Sequence, residues 1–378
     1  MTTRVPVFKP HLGVDTLKAV TDAFDVGWLG MGSFVKDFEE GLAKYLGLQD
    51  KYVVAVNTGT SALHLALLIA GIGQGDEVIA PSFNNIADFQ AIVAVGAEPV
   101  FCDISDSSLG IDCDKARALI SPRTKAIIGT DYAGVPCDLD GMYALAQQHG
   151  LRVIHDAAHS IGSRYKGRLI GSFGDIVIFS FDPVKTITCI DGGALVVNSQ
   201  ADAEKLHYYR LLGMTQSASR MYTNNRAWTY DVVSQGFRYH LSNIHASVGL
   251  SQLKMLDEFI ANRQRHCRLY SSLLEDVDGI QTPQTDFNDI APFIYYIRVK
   301  DGRRDELIPY LRQEGIDTGI HWVPAHNFSF LQNCRCGDLS VTDRVGQEIL
   351  TLPLYSYMDP DIIARVSEAI KDFFINSK

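Results

Sequence analysis

Short apolar runs that alternate with helical stretches constrain the fold of this chain most. Lys51–Val56 precedes a helical stretch at Ser61–Ala70, Glu77–Ala80 precedes Ile86–Val95, and Pro99–Ile104 precedes Asp112–Ile120. The pattern continues through Ala126–Thr130, Leu139–His149, Val153–Asp156 and Ile176–Phe181. The short runs are apolar on consecutive positions instead of alternating with polar residues, so they predict strands buried on both faces. Such strands, joined by helices, predict an α/β fold: a large domain with a mostly parallel sheet covered by helices. Beyond Leu241 the pattern changes. One long helix is expected over 243–274, with Val248, Leu250, Leu253, Leu256 and Phe259 on one side. A strand at Phe293–Val299, a helix at Arg303–Glu314 and a closing helix at Asp359–Phe374 then predict a smaller C-terminal α/β domain. The expected division is 1–245 and 246–378. Met214–Trp228, rich in Ser, Thr, Asn and Arg, reads as a long irregular loop, and loops of that length usually serve function.

Composition excludes several classes. The 378 residues are 46 % hydrophobic and 21 % charged, which fits neither a disordered chain nor a membrane protein. No apolar run has the length of a bilayer span, and Met1–Pro6 lacks a signal-peptide core, so a cytoplasmic protein is expected. The net charge of −10 disfavours nucleic-acid binding and leaves room only for a local basic pocket. Cys102, Cys113, Cys137, Cys189, Cys267, Cys334 and Cys336 form no paired C-x-x-C pattern, so reduced thiols and no metal site are expected. Cys189 reads as a buried structural thiol.

Chemistry concentrates around Lys185. Upstream lies an apolar strand ending in an acid, Val153-Ile154-His155-Asp156-Ala157-Ala158-His159. Downstream, Asp191-Gly192-Gly193 turns into Ala194-Leu195-Val196-Val197. A lysine that forms a Schiff base with pyridoxal phosphate needs an acid under the ring nitrogen and a cradle for the phosphate. Asp156, at a strand's carboxyl end, is the candidate for the acid, keeping the ring nitrogen protonated. Thr58-Gly59-Thr60-Ser61, between a strand and a helix, is the candidate cradle, because glycine lets the backbone approach and helical N–H groups face an anion. Ser180 offers a hydroxyl to the same phosphate, and His159 a contact to the ring's phenolic oxygen. Taken singly these are a solvated charge, a helix cap and a core histidine. Their order makes the constellation.

In that order the motifs resemble the DegT/StrS family of pyridoxal-phosphate nucleotide-sugar aminotransferases, of fold type I. The resemblance rests on Gly27-Trp28-Leu29, Asn57–Leu63, Gly96–Phe101, His155–His159, the Lys185 motif through Ala194, Gly236–Asn243, His321-Trp322-Val323-Pro324-Ala325-His326 and Leu352-Pro353-Leu354. It implies a homodimer with shared active sites, in which Asn243 reaches the phosphate of the neighbouring subunit's cofactor. It also implies that His321, Trp322 and His326 lie near the sugar. Arg220 and Arg226, in the Met214–Trp228 loop, are candidates for the substrate pyrophosphate.

The chain departs from the family pattern at Asn85, where an aromatic residue usually stacks on the cofactor ring. Either the amide covers the ring, or Phe83 or Phe89 substitutes. His240 replaces a usual methionine. The lysine at 185 argues against the dehydratase branch, which carries histidine there. The implied activity is amino transfer from glutamate (or glutamine) to a nucleotide-linked keto-sugar. The spacing H-W-x-P-x-H resembles C4 aminotransferases, such as those making dTDP-4-amino-4,6-dideoxyglucose from a dTDP-4-keto-6-deoxyhexose. Alternatives are a C3 sugar or cyclitol aminotransferase, or a non-catalytic regulatory paralogue.

Overall fold

The computed structural model describes residues 4–215, 218–226 and 228–376. Helices α1 (Val14–Asp25) and α2 (Ser33–Tyr45) lead into β1 (Tyr52–Val56) and α3 (Gly59–Ile69). Then follow β2 (Glu77–Pro81), α4 (Ile86–Ala94), β3 (Glu98–Cys102), α5 (Cys113–Leu119), β4 (Thr124–Thr130), α6 (Leu139–His149) and β5 (Arg152–Asp156). A small hairpin, β6 (Arg164–Tyr165) and β7 (Arg168–Leu169), precedes β8 (Ile176–Ser180) and β9 (Gly193–Val197). Each expected strand in this region is present, with ends displaced by a residue or two.

These strands form an eight-stranded sheet in the order β1-β9-β8-β5-β4-β2-β3-β12, where β12 is Arg335–Cys336. Neighbours are parallel from β8 to β12, and only β9 runs against both of its partners. Successive side chains of each strand enter opposite cores, as a period of two requires. Val153 and Val177 face the side covered by α2 and α6; Ile154, Ile176 and Ile178 face the side covered by α3 and α4. The consecutive apolar runs in the sequence have that origin. The carboxyl ends of β1, β2, β4, β5 and β8 meet at one edge, joined there by the start of β9.

The remaining elements are α7 (Gln200–Tyr209), α8 (Ala218–Met221), α9 (Asn243–Leu253), α10 (Leu256–Leu274), β10 (Ile280–Gln281), β11 (Tyr295–Val299), α11 (Arg304–Gln313), α12 (Ser340–Glu348), β13 (Ile349–Leu352) and α13 (Pro360–Asn376). The helix expected over 243–274 is two. No glycine or proline breaks it; α9 packs on α1 and α2, whereas α10 packs on α13, and the chain turns at Lys254–Met255 to serve both. A three-stranded sheet, β10-β11-β13, has its own core with α10, α11 and α13, into which Val5 also inserts. Residues 325–339 return to the large sheet, where Ala325, Leu331 and Leu339 are buried and β12 extends the edge beside β3. Among the described residues no helix is long and apolar enough to cross a membrane.

A buried ion pair holds β1 in place. Arg210, fully buried after α7, donates to Glu39 of α2 at 2.6 Å and to the Ala55 carbonyl of β1 at 2.6 Å. Its second nitrogen donates to the Tyr222 hydroxyl at 2.8 Å, and Glu39 also accepts from the Ala55 N–H at 2.8 Å. Removing one partner strands the other charge away from water, which costs about 3–5 kcal/mol. Glu39→Ala is therefore expected to lower stability by about that amount in denaturant unfolding, and by more than the change would at an exposed helix site.

Candidate active site

The cavity at the carboxyl edge collects its walls from distant parts of the sequence. Thr58, Gly59 and Thr60 follow β1; Asn84, Asn85 and Asp88 follow β2; Thr130 ends β4; Asp156 and His159 end and follow β5; Ser180 and Lys185 end and follow β8. Phe293, His321 and Trp322 close it from the C-terminal segment.

The cradle begins at Thr58, the N-cap of α3, whose hydroxyl accepts from the Ser61 N–H at 3.0 Å. The remaining N–H groups of the first helical turn lack intrahelical acceptors and are available to an anion. Gly59 is required by a close approach: a Cβ there would lie 2.8 Å from the Cβ of Ser180 and 2.9 Å from its hydroxyl oxygen. Gly193 has a matching reason, since its Cβ would lie 2.4 Å from the Thr58 carbonyl. Ser180 and Thr60 are thus brought to one part of the cavity wall.

Asp156 is buried at the mouth of β5, where it accepts from the Ala158 N–H at 2.9 Å. Burial pushes its carboxyl above the usual range, against the Ala158 bond and the charge of Lys185. A cation brought against Asp156 would reverse that shift. Behind it, Asp131 holds the strand ends together, receiving the Cys137 N–H at 3.0 Å and lying 2.9 Å from Nε2 of His155.

Lys185 sits with Nζ 4.3 Å from the centroid of Phe293. Burial brings its pKa down to about 8, against the opposing pull of Asp156 and then Asp182. A substantial neutral fraction at mildly alkaline pH is what a nucleophilic or proton-moving amine requires. His159 is buried, tilted against Phe293 at 4.3 Å and stacked on Trp322 at 5.8 Å. Burial, then Lys185 and His321, keep it neutral, and its Nδ1 has no hydrogen-bond partner.

The motif at 321–326 divides. His321 faces the cavity, its Nδ1 2.9 Å from the Thr351 hydroxyl, and burial followed by the Lys185 charge lowers it to about 4. Trp322 lines the same wall. His326 does not: Nδ1 bonds Ser82 at 2.8 Å and Nε2 bonds Asp343 at 3.0 Å. It clips the loop to β2 and α12.

Two of the three candidates for the ring cover are also excluded by position. Phe83 packs on Tyr132 in the core, with centroids 5.2 Å apart, and Phe89 packs on Phe101 at 5.1 Å. Neither lines the cavity: Phe83 is buried in a cluster with Tyr296 and Ile349, and Phe89 in the core between the sheet and α3. Asn85 does line it, while its side chain caps α4 by accepting from the Ala87 N–H at 2.9 Å. Phe293 is a wall residue that sequence reading missed, since it lies far from every motif. Asp88 was missed as well, because an acid in a helix's first turn reads as a solvated dipole partner.

Asn243 and the two loop arginines lie away from this chain's own cavity. Asn243 is buried at the start of α9, donating to the Trp28 carbonyl at 2.8 Å, and its Oδ1 has no partner. Arg220 and Arg226 are exposed. The seven cysteines are all free.

Comparison with known proteins agrees with this geometry. Residues 10–371 match the model of the DegT/DnrJ/EryC1/StrS aminotransferase family. The spore coat polysaccharide biosynthesis protein SpsC of Bacillus subtilis is 36 % identical, over 97 % of this chain and 96 % of that protein. The aminotransferase TlmJ from Streptoalloteichus hindustanus superimposes with a TM-score of 0.91 at 31 % identity, over 99 % of both chains. DesV of S. venezuelae does so at 0.90 and 32 % identity, over 98 % of this chain and 99 % of that one. The chain belongs to the DegT/DnrJ/EryC1/StrS aminotransferase family. It is thus an enzyme of the fold type I class, and its cofactor is pyridoxal phosphate; a structural neighbour, Spr1654 from Streptococcus pneumoniae, was crystallised in a PLP form and a PMP form.

The residues present fit that cofactor. The recess kept open by Gly59 suits a phosphate, the wall residue His159 has an unpartnered Nδ1, and Asp156 and Lys185 carry complementary charges. Filling the recess should therefore weaken binding. Gly59→Ala is expected to raise the dissociation constant for pyridoxal phosphate at least ~10-fold, equivalent to about 1.4 kcal/mol, when cofactor is titrated into cofactor-free protein.

Proposed function

We propose that this enzyme moves an amino group from glutamate, or glutamine, to a nucleotide-linked keto-sugar, at C4 of a dTDP-4-keto-6-deoxyhexose. The observation that carries this reading is the single cavity in which Lys185, Asp156 and His159 face His321 and Trp322. An amine, an acid and a neutral imidazole are set there beside two side chains suited to a sugar, one aromatic and one polar.

When bound, the cofactor supplies an electron sink for the carbanion left as an α-proton departs. The protein's own residues do the rest. Thr58, Gly59, Thr60 and Ser180 would hold the phosphate, and Asp156 would keep the ring nitrogen protonated. Lys185 Nζ takes a proton from one carbon and returns it to another, which its lowered pKa permits near neutral pH. His159, held neutral, presents an imidazole without adding a cation that would compete with the amine. His321, braced by Thr351, and Trp322 orient the sugar, and regiochemistry follows from which carbon they hold over the amine. His326 contributes by fixing the loop.

We further propose that the active enzyme is a cytoplasmic homodimer with shared sites. Asn243 keeps an unpartnered Oδ1, and Leu29, Trp228, Tyr230, Val232 and Val233 are exposed, with Trp228 at 91 %. Exposed apolar side chains of this kind suit an interface. Arg220 and Arg226, exposed in the segment leading to Trp228, are then available to the neighbouring subunit's substrate pyrophosphate.

Lys185→Ala is expected to abolish the visible absorption of bound cofactor that borohydride quenches, and to reduce turnover at least ~10³-fold. With the unmodified enzyme, product NMR after reaction with 4-keto-6-deoxyhexose nucleotides and glutamate should place nitrogen at C4. Nitrogen at C3, or reaction only with a free cyclitol ketone, would replace the regiochemical reading and leave amino transfer standing.

Shared sites have their own test. Mixing inactive Lys185→Ala protein with inactive Asn243→Ala protein should restore up to roughly a quarter of activity, since each hybrid dimer keeps one complete site. No recovery despite proven subunit exchange would show that Asn243 serves its own subunit.

A further inference from the structure

Asp88 is a second acid in the cavity. It lies in the first turn of α4, is completely buried, and lines the wall beside Asp156. Its Oδ2 accepts from the Asn84 amide, and the Thr130 hydroxyl is 3.4 Å away. Its Oδ1 has no donor at all. Thr130, whose hydroxyl reaches Asp88, pairs with Asp156 in the β4–β5 register, so both acids lie on one wall of the cavity, with the Asp88 carboxyl within hydrogen-bond reach of Asp156.

Two neighbouring carboxylates out of water do not both ionise, and one keeps a proton. The other groups facing the pair are unequally placed. The Ala158 N–H bonds Asp156, and the charge of Lys185 favours ionisation of Asp156; Asp131 and His155 lie behind it. Asp88 receives only neutral donors, from Asn84 and Thr130. Burial and then the Asp156 charge push the Asp88 carboxyl well above the usual range.

We propose that Asp88 is a positioning residue: a neutral carboxylic acid that donates its proton in a hydrogen bond to Asp156 and fixes that carboxylate for the cofactor's ring nitrogen. The unpartnered oxygen is then explained, because an acid O–H turns a repulsive contact into a donor–acceptor pair. Asp156 has its second bond beside the one from Ala158, and only one of the two acids is charged. A carboxylate held by two bonds has less freedom to turn away from the ring nitrogen. The inference rests on the role proposed for Asp156 above. Its sequence signature is Asn84-Asn85-Ile86-Ala87-Asp88, where the residue one turn into α4 faces inward, not toward solvent.

Infrared spectroscopy of the full-length, cofactor-free protein tests the protonation state without relying on the cofactor. A protonated carboxyl band should persist at pH 7 and disappear in Asp88→Asn. No such band in the unmodified protein, or a band unchanged in Asp88→Asn, would overturn the proposal. Cofactor titration tests positioning. Asp88→Asn keeps an N–H donor and is expected to weaken pyridoxal phosphate binding less than ~3-fold, whereas Asp88→Ala should weaken it ~10-fold or more. Asp88→Leu, which fills the space without a donor, should lose as much as Asp88→Ala; binding retained in Asp88→Leu, or equal losses in Asp88→Asn and Asp88→Ala, would overturn the donor role. Asp156→Asn separates the two ideas: near-normal turnover there would refute the role of Asp156, while the infrared result would still report on Asp88.

Discussion

Burial of the central sheet on both faces is the constraint from which the rest of this structure follows. Residues such as Ile154 and Val153 leave water on opposite sides of one strand, and each side requires a layer of helices. With both faces closed, the strand ends are where backbone and side chains of β1, β2, β4, β5 and β8 remain open to a ligand. Apart from Asp191, His321 and Trp322, the polar wall residues of the cavity lie at or shortly after one of those ends. The antiparallel strand β9 completes the edge, since its first residue, Gly193, lies against Thr58 and pairs with Ser180.

The electrostatics of the site are a consequence of that burial. Lys185 and Asp156 would each have an ordinary pKa in water. In the cavity the amine is pushed down and the acid up, so both move toward the range in which a proton is exchanged near neutral pH. Burial also explains why His159 and His321 are neutral, leaving Lys185 as the cation that faces the acids. The same desolvation falls hardest on Asp88, which has no cation of its own.

The structure also separates residues that hold the site from residues that face it. His326 and His321 belong to one short motif, yet His326 spends both ring nitrogens on Ser82 and Asp343. Arg210 is far from the reacting groups, but its pair with Glu39 anchors β1 and through it the turn at Thr58 and Gly59. Asn243 is buried away from the cavity and keeps an unpartnered Oδ1.

Much was legible in the sequence because it is local. A strand buried on both faces reads as consecutive apolar residues, and a strand–glycine–helix junction reads as an anion cradle. The order Asp156, His159, Ser180, Lys185 was legible because each residue lies at or just beyond a strand end, where the cavity forms. The split of the 243–274 helix was not legible, because α9 and α10 turn to meet different partners and no helix breaker marks the place. Phe293 was hidden for a similar reason: it reaches Lys185 only when the C-terminal segment folds back across the edge. Whether Asn85, Phe83 or Phe89 faces the cavity, and whether Asp88 meets solvent or another acid, depends on how α4 is rotated against the sheet. Sequence determined the elements and the identity of the reacting groups through periodicity and spacing. Which side chains share the cavity, and how far each acid is removed from water, was decided by tertiary packing, because proximity and desolvation between distant segments have no local signature.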